Sequence, residues 1–156
     1  MQQSREDVRL SFDMETFLPY RLYQAAEMTG RAFEREYGAR YGLRRTEWRV
    51  LFNVGQYGPI SAVEISRRAS LEKTKISRAV HRLQERGWLK RLYSKGNRRT
   101  HDLELTGDGR RIFQELTLMA SEFNARFEDK IGQNELDKLI TQLNDLQLLD
   151  HSTPAM

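Results

Sequence analysis

The feature that most limits what this chain can become is a double change of hydrophobic period. Apolar residues recur every three or four positions up to Leu83, alternate with polar ones between Trp88 and Thr106, and return to helical spacing after Asp108. A period near 3.6 buries one face of a helix, and a period of two buries one face of a strand. The chain therefore reads as mainly α with one small β-hairpin, in the order helix, helix, helix, helix, hairpin, helix, helix. Pro19, Pro59 and Pro154 are the only prolines, so long helices are permitted, and there is no internal repeat.

Local signals set the expected boundaries. Thr16 can cap a first helix carrying Leu18, Leu22, Ala25, Ala26, Phe33 and Tyr37 on one side, with Pro19 in its first turn and an end near Gly38 or Gly42. Thr46 can cap a second over 47–54, with Trp48, Leu51, Phe52 and Val54 inward, stopped by Gly55 and Gly58-Pro59. Ser61-Ala62-Val63-Glu64 has the capping-box pattern and opens a short helix to about Ala69. After a break at 70–72, a helix over 73–86 turns Ile76, Val80 and Leu83 inward, and Gly87 closes it in the left-handed conformation. Strands over 88–93 and 101–106 flank a polar loop, 94–100. Ile112, Leu116, Met119, Phe123 and Phe127 then mark a long helix. A break at 132–134 precedes a last one with Leu136, Leu139, Ile140, Leu143 and Leu146.

Charge is distributed unevenly. Residues 1–66 hold nine basic and nine acidic side chains, 67–111 hold fourteen against five, and 112–156 hold three against eight. The middle block, net +9, is suited to a polyanion, and the acidic tail is not. Without cysteine there is no disulfide framework, thiolate metal site or thiol switch. No apolar run approaches the ~20 residues of a membrane span. Arg5, Glu6, Asp7 and Arg9 stand where a secretory signal needs an apolar core, so a cytoplasmic protein is expected. His81, His101 and His151 are scattered without ligand or catalytic spacing, and no phosphate-binding glycine loop occurs, so neither an enzyme nor a metal site is expected.

Two short helices joined by a tight break and followed by a hairpin describe a winged helix-turn-helix. With its apolar side buried, the 73–86 helix presents Lys73, Thr74, Ser77, Arg78 and His81, flanked by Lys75 and Arg82. These residue types read base edges and hold phosphates when a helix lies in the major groove. Ser61 joins that set at the start of the preceding helix, and Lys95, Asn97, Arg98 and Arg99 make a cationic wing tip suited to the minor groove.

Over roughly residues 17–145 the sequence resembles MarR-type (multiple antibiotic resistance regulator) transcription factors. The resemblance is carried by Thr46-Glu47-Trp48-Arg49-Val50-Leu51, Gly58-Pro59-Ile60-Ser61 and Lys75-Ile76-Ser77-Arg78-Ala79-Val80. It continues through Leu83-Gln84-Glu85-Arg86-Gly87-Trp88-Leu89, Asn97-Arg98-Arg99 and Leu105-Thr106-Gly107-Asp108-Gly109. The family pattern has an aspartate before the two wing arginines, where this chain has Asn97 and with it a weaker hold on Arg99.

The resemblance implies a single domain over 1–156. Within it a DNA-binding lobe at 46–107 is flanked by dimerisation helices at 12–42 and 108–150. It also implies a homodimeric repressor on a near-palindromic operator of double-stranded DNA, and a small aromatic or phenolic effector but no cofactor. Tyr20, Arg21, Trp48 and Arg49 are the effector-site candidates: aromatic walls with a guanidinium for a carboxylate. The sequence agrees on dimerisation, because Phe12, Phe17, Leu136, Leu139, Ile140, Leu143 and Leu146 offer more apolar surface than so small a lobe covers. A nonspecific nucleic-acid binder with the same wing is the competing reading, separable by its equal affinity for any duplex.

Overall fold

A computed structural model of the 156-residue chain describes residues 12–93 and 101–149. The elements are α1 (Leu18–Tyr41), α2 (Arg45–Tyr57), β1 (Ile60–Ser61), α3 (Ala62–Ala69), α4 (Lys73–Glu85), β2 (Leu89–Tyr93), β3 (His101–Leu105), α5 (Gly107–Ile131) and α6 (Gln133–Leu149). The expected helix-and-hairpin order is present, with one addition. The strands form a three-stranded antiparallel sheet in the order β1-β3-β2, pairing Ile60 with Leu103 and Arg91 with Leu103 from opposite sides. β1 escapes a sequence reading because two residues carry no period.

Helix ends show where local chemistry was read correctly and where it was not. Thr16 does not cap α1: its hydroxyl donates to the Asp13 carbonyl at 3.0 Å, and Phe17 holds the N-cap position with Pro19 in the first turn. Thr46 does not cap α2, which starts one residue earlier; there the Glu47 carboxylate reaches back to the Arg44 N–H at 3.0 Å. Gly55 does not stop α2, which continues to Tyr57. The Phe113 ring lies within 2.4 Å of where a Cβ would be, so this glycine serves close helix packing.

Ser61 caps α3 as expected, its Oγ accepting from the Glu64 N–H at 3.2 Å. The reciprocal half of the box is absent, because the Glu64 carboxylate pairs with Arg67 and Arg68. α4 ends in a Schellman turn: Gly87 (φ 71°) donates to the Gln84 carbonyl and Trp88 to that of Leu83, both at 2.9 Å. Thr106, expected at the end of the second strand, is instead the N-cap of α5 and accepts from the Gly109 N–H at 3.0 Å. The break before α6 is Gly132 alone.

One core runs from α1 through the sheet to α5. Val50, Leu51, Ile65, Ile76, Leu83 and Leu116 are all but inaccessible at its centre. Each such side chain contributes roughly 1.5–3 kcal/mol by leaving water. Around it lies an aromatic cluster in which Trp48 stacks on Tyr37 (5.9 Å, 11°) and meets the Phe33 edge at 5.4 Å. α6 buries little beyond Leu136, and Leu139 and Ile140 stay exposed.

Candidate nucleic-acid interface and adjoining cleft

α4 has two sharply different sides. Ile76, Ala79, Val80 and Leu83 are buried against α2 and α3, which fixes the helix by its apolar stripe. Lys73, Thr74, Lys75, Ser77, Arg78 and His81 are exposed on the other side. Lys75 reaches Glu72 (3.6 Å) and His81 Nε2 lies 3.3 Å from Glu85, whereas Lys73, Thr74, Ser77 and Arg78 make no side-chain bond to any described residue. The result is a solvent-facing row of hydroxyl, ammonium and guanidinium groups about two and a half turns long.

The remaining expected contacts divide. Arg82 is turned inward, its Nη1 donating to the buried Glu47 Oε1 at 3.0 Å. The half-exposed Ser61 has its Oγ engaged in the α3 cap. Lys95, Asn97, Arg98 and Arg99 lie outside the described residues. Two wing residues the sequence reading passed over face α4: Arg91 and His101 line a recess with Lys73, Ser77 and Ser61. Their signal was register, since 89, 91 and 93 share a sheet face with 105, 103 and 101.

A second concavity, of about 350 Å³, opens between α1, α2, α5 and α6. Phe33, Tyr37, Trp48 and Phe123 wall it, Leu139 and Ile140 of α6 close one side, and Arg45 and Arg49 supply positive charge. The Trp48 Nε1–H is buried without a hydrogen-bond partner among the described residues. Burial, reinforced by the nearby Glu34, pushes the Tyr37 phenol well above its ordinary range, so it stays neutral at physiological pH. Arg45 is fixed from α1, its Nη1 bonded to Glu27 Oε1 at 2.8 Å; this hydrogen bond leads the causes that lower the Glu27 carboxyl.

Of the four expected cleft residues, Trp48 and Arg49 line this space and Tyr20 and Arg21 do not. Position 20 lies ten residues, about 15 Å, along α1 from Gly30 at the cleft, and Arg21 pairs instead with Glu15 at 2.7 Å. Phe33 and Tyr37 were read only as core positions on a helix face, which they also are.

Among the described residues, no three His, Cys, Asp or Glu side chains come together as metal ligands, and no helix is long and apolar enough to cross a membrane.

Residues 43–101 match the model of the MarR family. PapX of Escherichia coli, an HTH-type transcriptional regulator, is 32% identical over 85 residues, 53% of this chain and about half (52%) of its own length. A MarR/EmrR family regulator from Acinetobacter sp. ADP1 superposes with a TM-score of 0.82 at 20% identity, covering 91% of this chain and all of its own (100%). Bordetella bronchiseptica BpsR, whose DNA binding is regulated by 6-hydroxynicotinic acid, superposes with a TM-score of 0.77 at 18% identity over 87% of this chain and 96% of its own. Over residues 43–101 the chain is thus similar in sequence to the MarR family, and over most of its length it shares the winged-helix fold of solved MarR-family regulators.

Proposed function

We propose that the chain is a homodimeric, ligand-responsive repressor that lays α4 of each subunit into successive major grooves of a near-palindromic operator. The observation that carries this reading is the α4 row of Lys73, Thr74, Ser77 and Arg78, exposed and without side-chain partners among the described residues, above a fully buried apolar stripe. A helix anchored from behind and bare in front is suited to the groove, and arginine with hydroxyl groups is suited to base edges and phosphates. In this reading Ser61, Lys75 and His81 contact flanking phosphates. The 94–100 loop, with Lys95, Asn97, Arg98 and Arg99, enters the neighbouring minor groove.

The division of labour is a lobe at 46–107 that binds DNA and helices at 12–42 and 108–150 that dimerise, in a cytoplasmic protein. Dimerisation is supported by the apolar side chains left open along α6 and the start of α1: Leu18 at 51% exposure, Phe17 at 43%, Leu139 at 44% and Ile140 at 46%. Two-fold symmetry would set the two α4 helices ~34 Å apart. The effector site is the cleft. Its aromatic walls, the Trp48 N–H without a partner among the described residues and Arg49 fit a small hydroxylated aromatic acid, the class of compound that regulates DNA binding by BpsR.

The test compares affinity for the duplex upstream of the chain's own gene with that for a random duplex at two salt concentrations. A preference of about 10³ or more supports operator reading. Equal affinities with equal salt slopes reduce the protein to a nonspecific binder.

A further inference from the structure

We propose that the buried Glu47 carboxylate locks α4 to the cleft through Arg82, so that Arg82 is a positioning residue and not a DNA contact. This rests on the reading of α4 as the groove-binding helix. Glu47 is only 2% exposed and is the one charged side chain buried among the described residues. A carboxylate persists in such a place only when both oxygens are paired. Here Oε1 accepts from Arg82 Nη1 and Oε2 from the Arg44 N–H, each at 3.0 Å. One carboxylate thus caps α2 and grips α4, 35 residues further along the chain.

A second tie reinforces the first. Arg86, at the C-terminus of α4, donates Nη1 to the Tyr41 carbonyl (2.6 Å) and Nη2 to that of Gly42 (2.9 Å). Both arginines therefore hold the corner between α1 and α2. That corner is pinned to α1 as well, where the Arg45 N–H donates to Glu34 Oε1 at 3.1 Å and the Arg45 guanidinium to Glu27. Arg45, Trp48 and Arg49, on the same turn of α2 as Glu47, line the cleft. An occupant that shifts this turn carries Glu47 with it, and Arg82 transmits the shift to the C-terminal half of α4. For stability alone a buried ion pair offers little over apolar packing, so geometry is what this one supplies.

The experiment uses full-length wild type, Glu47→Gln, Arg82→Gln and the double variant. Each is titrated by fluorescence anisotropy with the upstream duplex and a random duplex at two salt concentrations, and the free proteins are followed by amide hydrogen exchange. Glutamine at 47 has one acceptor oxygen where two are needed, so one contact becomes donor against donor. Either single variant is expected to weaken upstream-duplex binding by about two- to thirtyfold with the salt slope unchanged, and to speed exchange of the α4 amides. The double variant should be no weaker than the poorer single one, because both substitutions break the same link.

If Arg82→Gln lowers the salt slope by about 0.9 while Glu47→Gln binds as wild type, Arg82 contacts a phosphate and the proposal is overturned. If wild type does not distinguish the duplexes, the operator reading fails on its own. The lock is then judged by exchange alone, and unchanged α4 protection in both single variants removes it. Should Glu47→Gln not fold, Arg82→Lys, which keeps the charge on a shorter fork, replaces it; a loss of affinity without a change of slope supports the lock, and wild-type affinity refutes it.

Discussion

Arg78→Ala isolates the binding surface of α4 from its packing. The Arg78 side chain is exposed and bonded to no described residue, and alanine is the better helix former, so folding stability should move by no more than about 0.5 kcal/mol. Loss of affinity is then loss of interface. A bidentate arginine–base contact contributes about 1–3 kcal/mol, so the dissociation constant for the upstream duplex should rise about five- to 150-fold. The pattern across duplexes says which contact was lost. A base contact is lost on the upstream duplex alone with the salt slope preserved, and a phosphate contact is lost on both duplexes with the slope reduced by about 0.9. Anisotropy titrations at two salt concentrations with a thermal melt as control provide the measurement. Wild-type affinity on both duplexes would refute the placement of α4 in the groove, and a melting point lowered by many degrees would refute the claim that Arg78 carries no packing.

Four further outcomes follow from the same geometry. Leu139→Glu with Leu143→Glu should yield monomers by light scattering, and a persisting dimer would move the interface away from α6. Gly109→Ala brings a Cβ to 2.0 Å from the Trp88 carbonyl oxygen, so it should destabilise the fold by about 1–3 kcal/mol in denaturant melts; no loss would mean the start of α5 is free to shift. A hydrogen bond from Arg67, with the charges of Arg67 and Arg68, holds the Glu64 carboxyl at about 2, below its ordinary 4.5. Its stabilising share is therefore full above about 4.5 and is lost as pH falls through about 2; Glu64→Gln should flatten thermal stability against pH over that window, and an unaltered profile would contradict the pairing. Trp48→Phe removes the indole N–H from the cleft and trims the ring that stacks on Tyr37, so the free protein should lose about 1–3 kcal/mol of stability, while the melting-point rise given by 6-hydroxynicotinic acid or a related hydroxylated aromatic acid, measured against the variant's own melting point, should shrink; an undiminished rise would place the ligand elsewhere.

What the sequence revealed and what it concealed divide by range along the chain. α4 was legible in both faces, because Ile76, Val80 and Leu83 recur at helical spacing and Gly87 supplies a left-handed stop. Ser61 was legible as a cap because a hydroxyl three residues before Glu64 acts locally. Gly55 was misread as a stop, since the reason for it is the Phe113 ring, 58 positions away in sequence. The partner of Arg82 was hidden for the same reason, as the spacing shows its face of the helix but not the Glu47 carboxylate to which it donates. The cleft is a product of four helices, so its lining is not a local property of the chain: of the four residues expected at an effector site, Trp48 and Arg49 line it, and Tyr20 and Arg21 lie further back on α1.

The central claim is that two copies of α4, related by a two-fold axis, read one face of a double helix. Hydroxyl-radical footprinting on the upstream duplex tests this most directly. The account predicts two protected half-sites of inverted sequence, centred about one helical turn (~34 Å) apart, each narrowed by Arg78→Ala. A single uninterrupted footprint without inverted symmetry, or protection indifferent to Arg78, would contradict it.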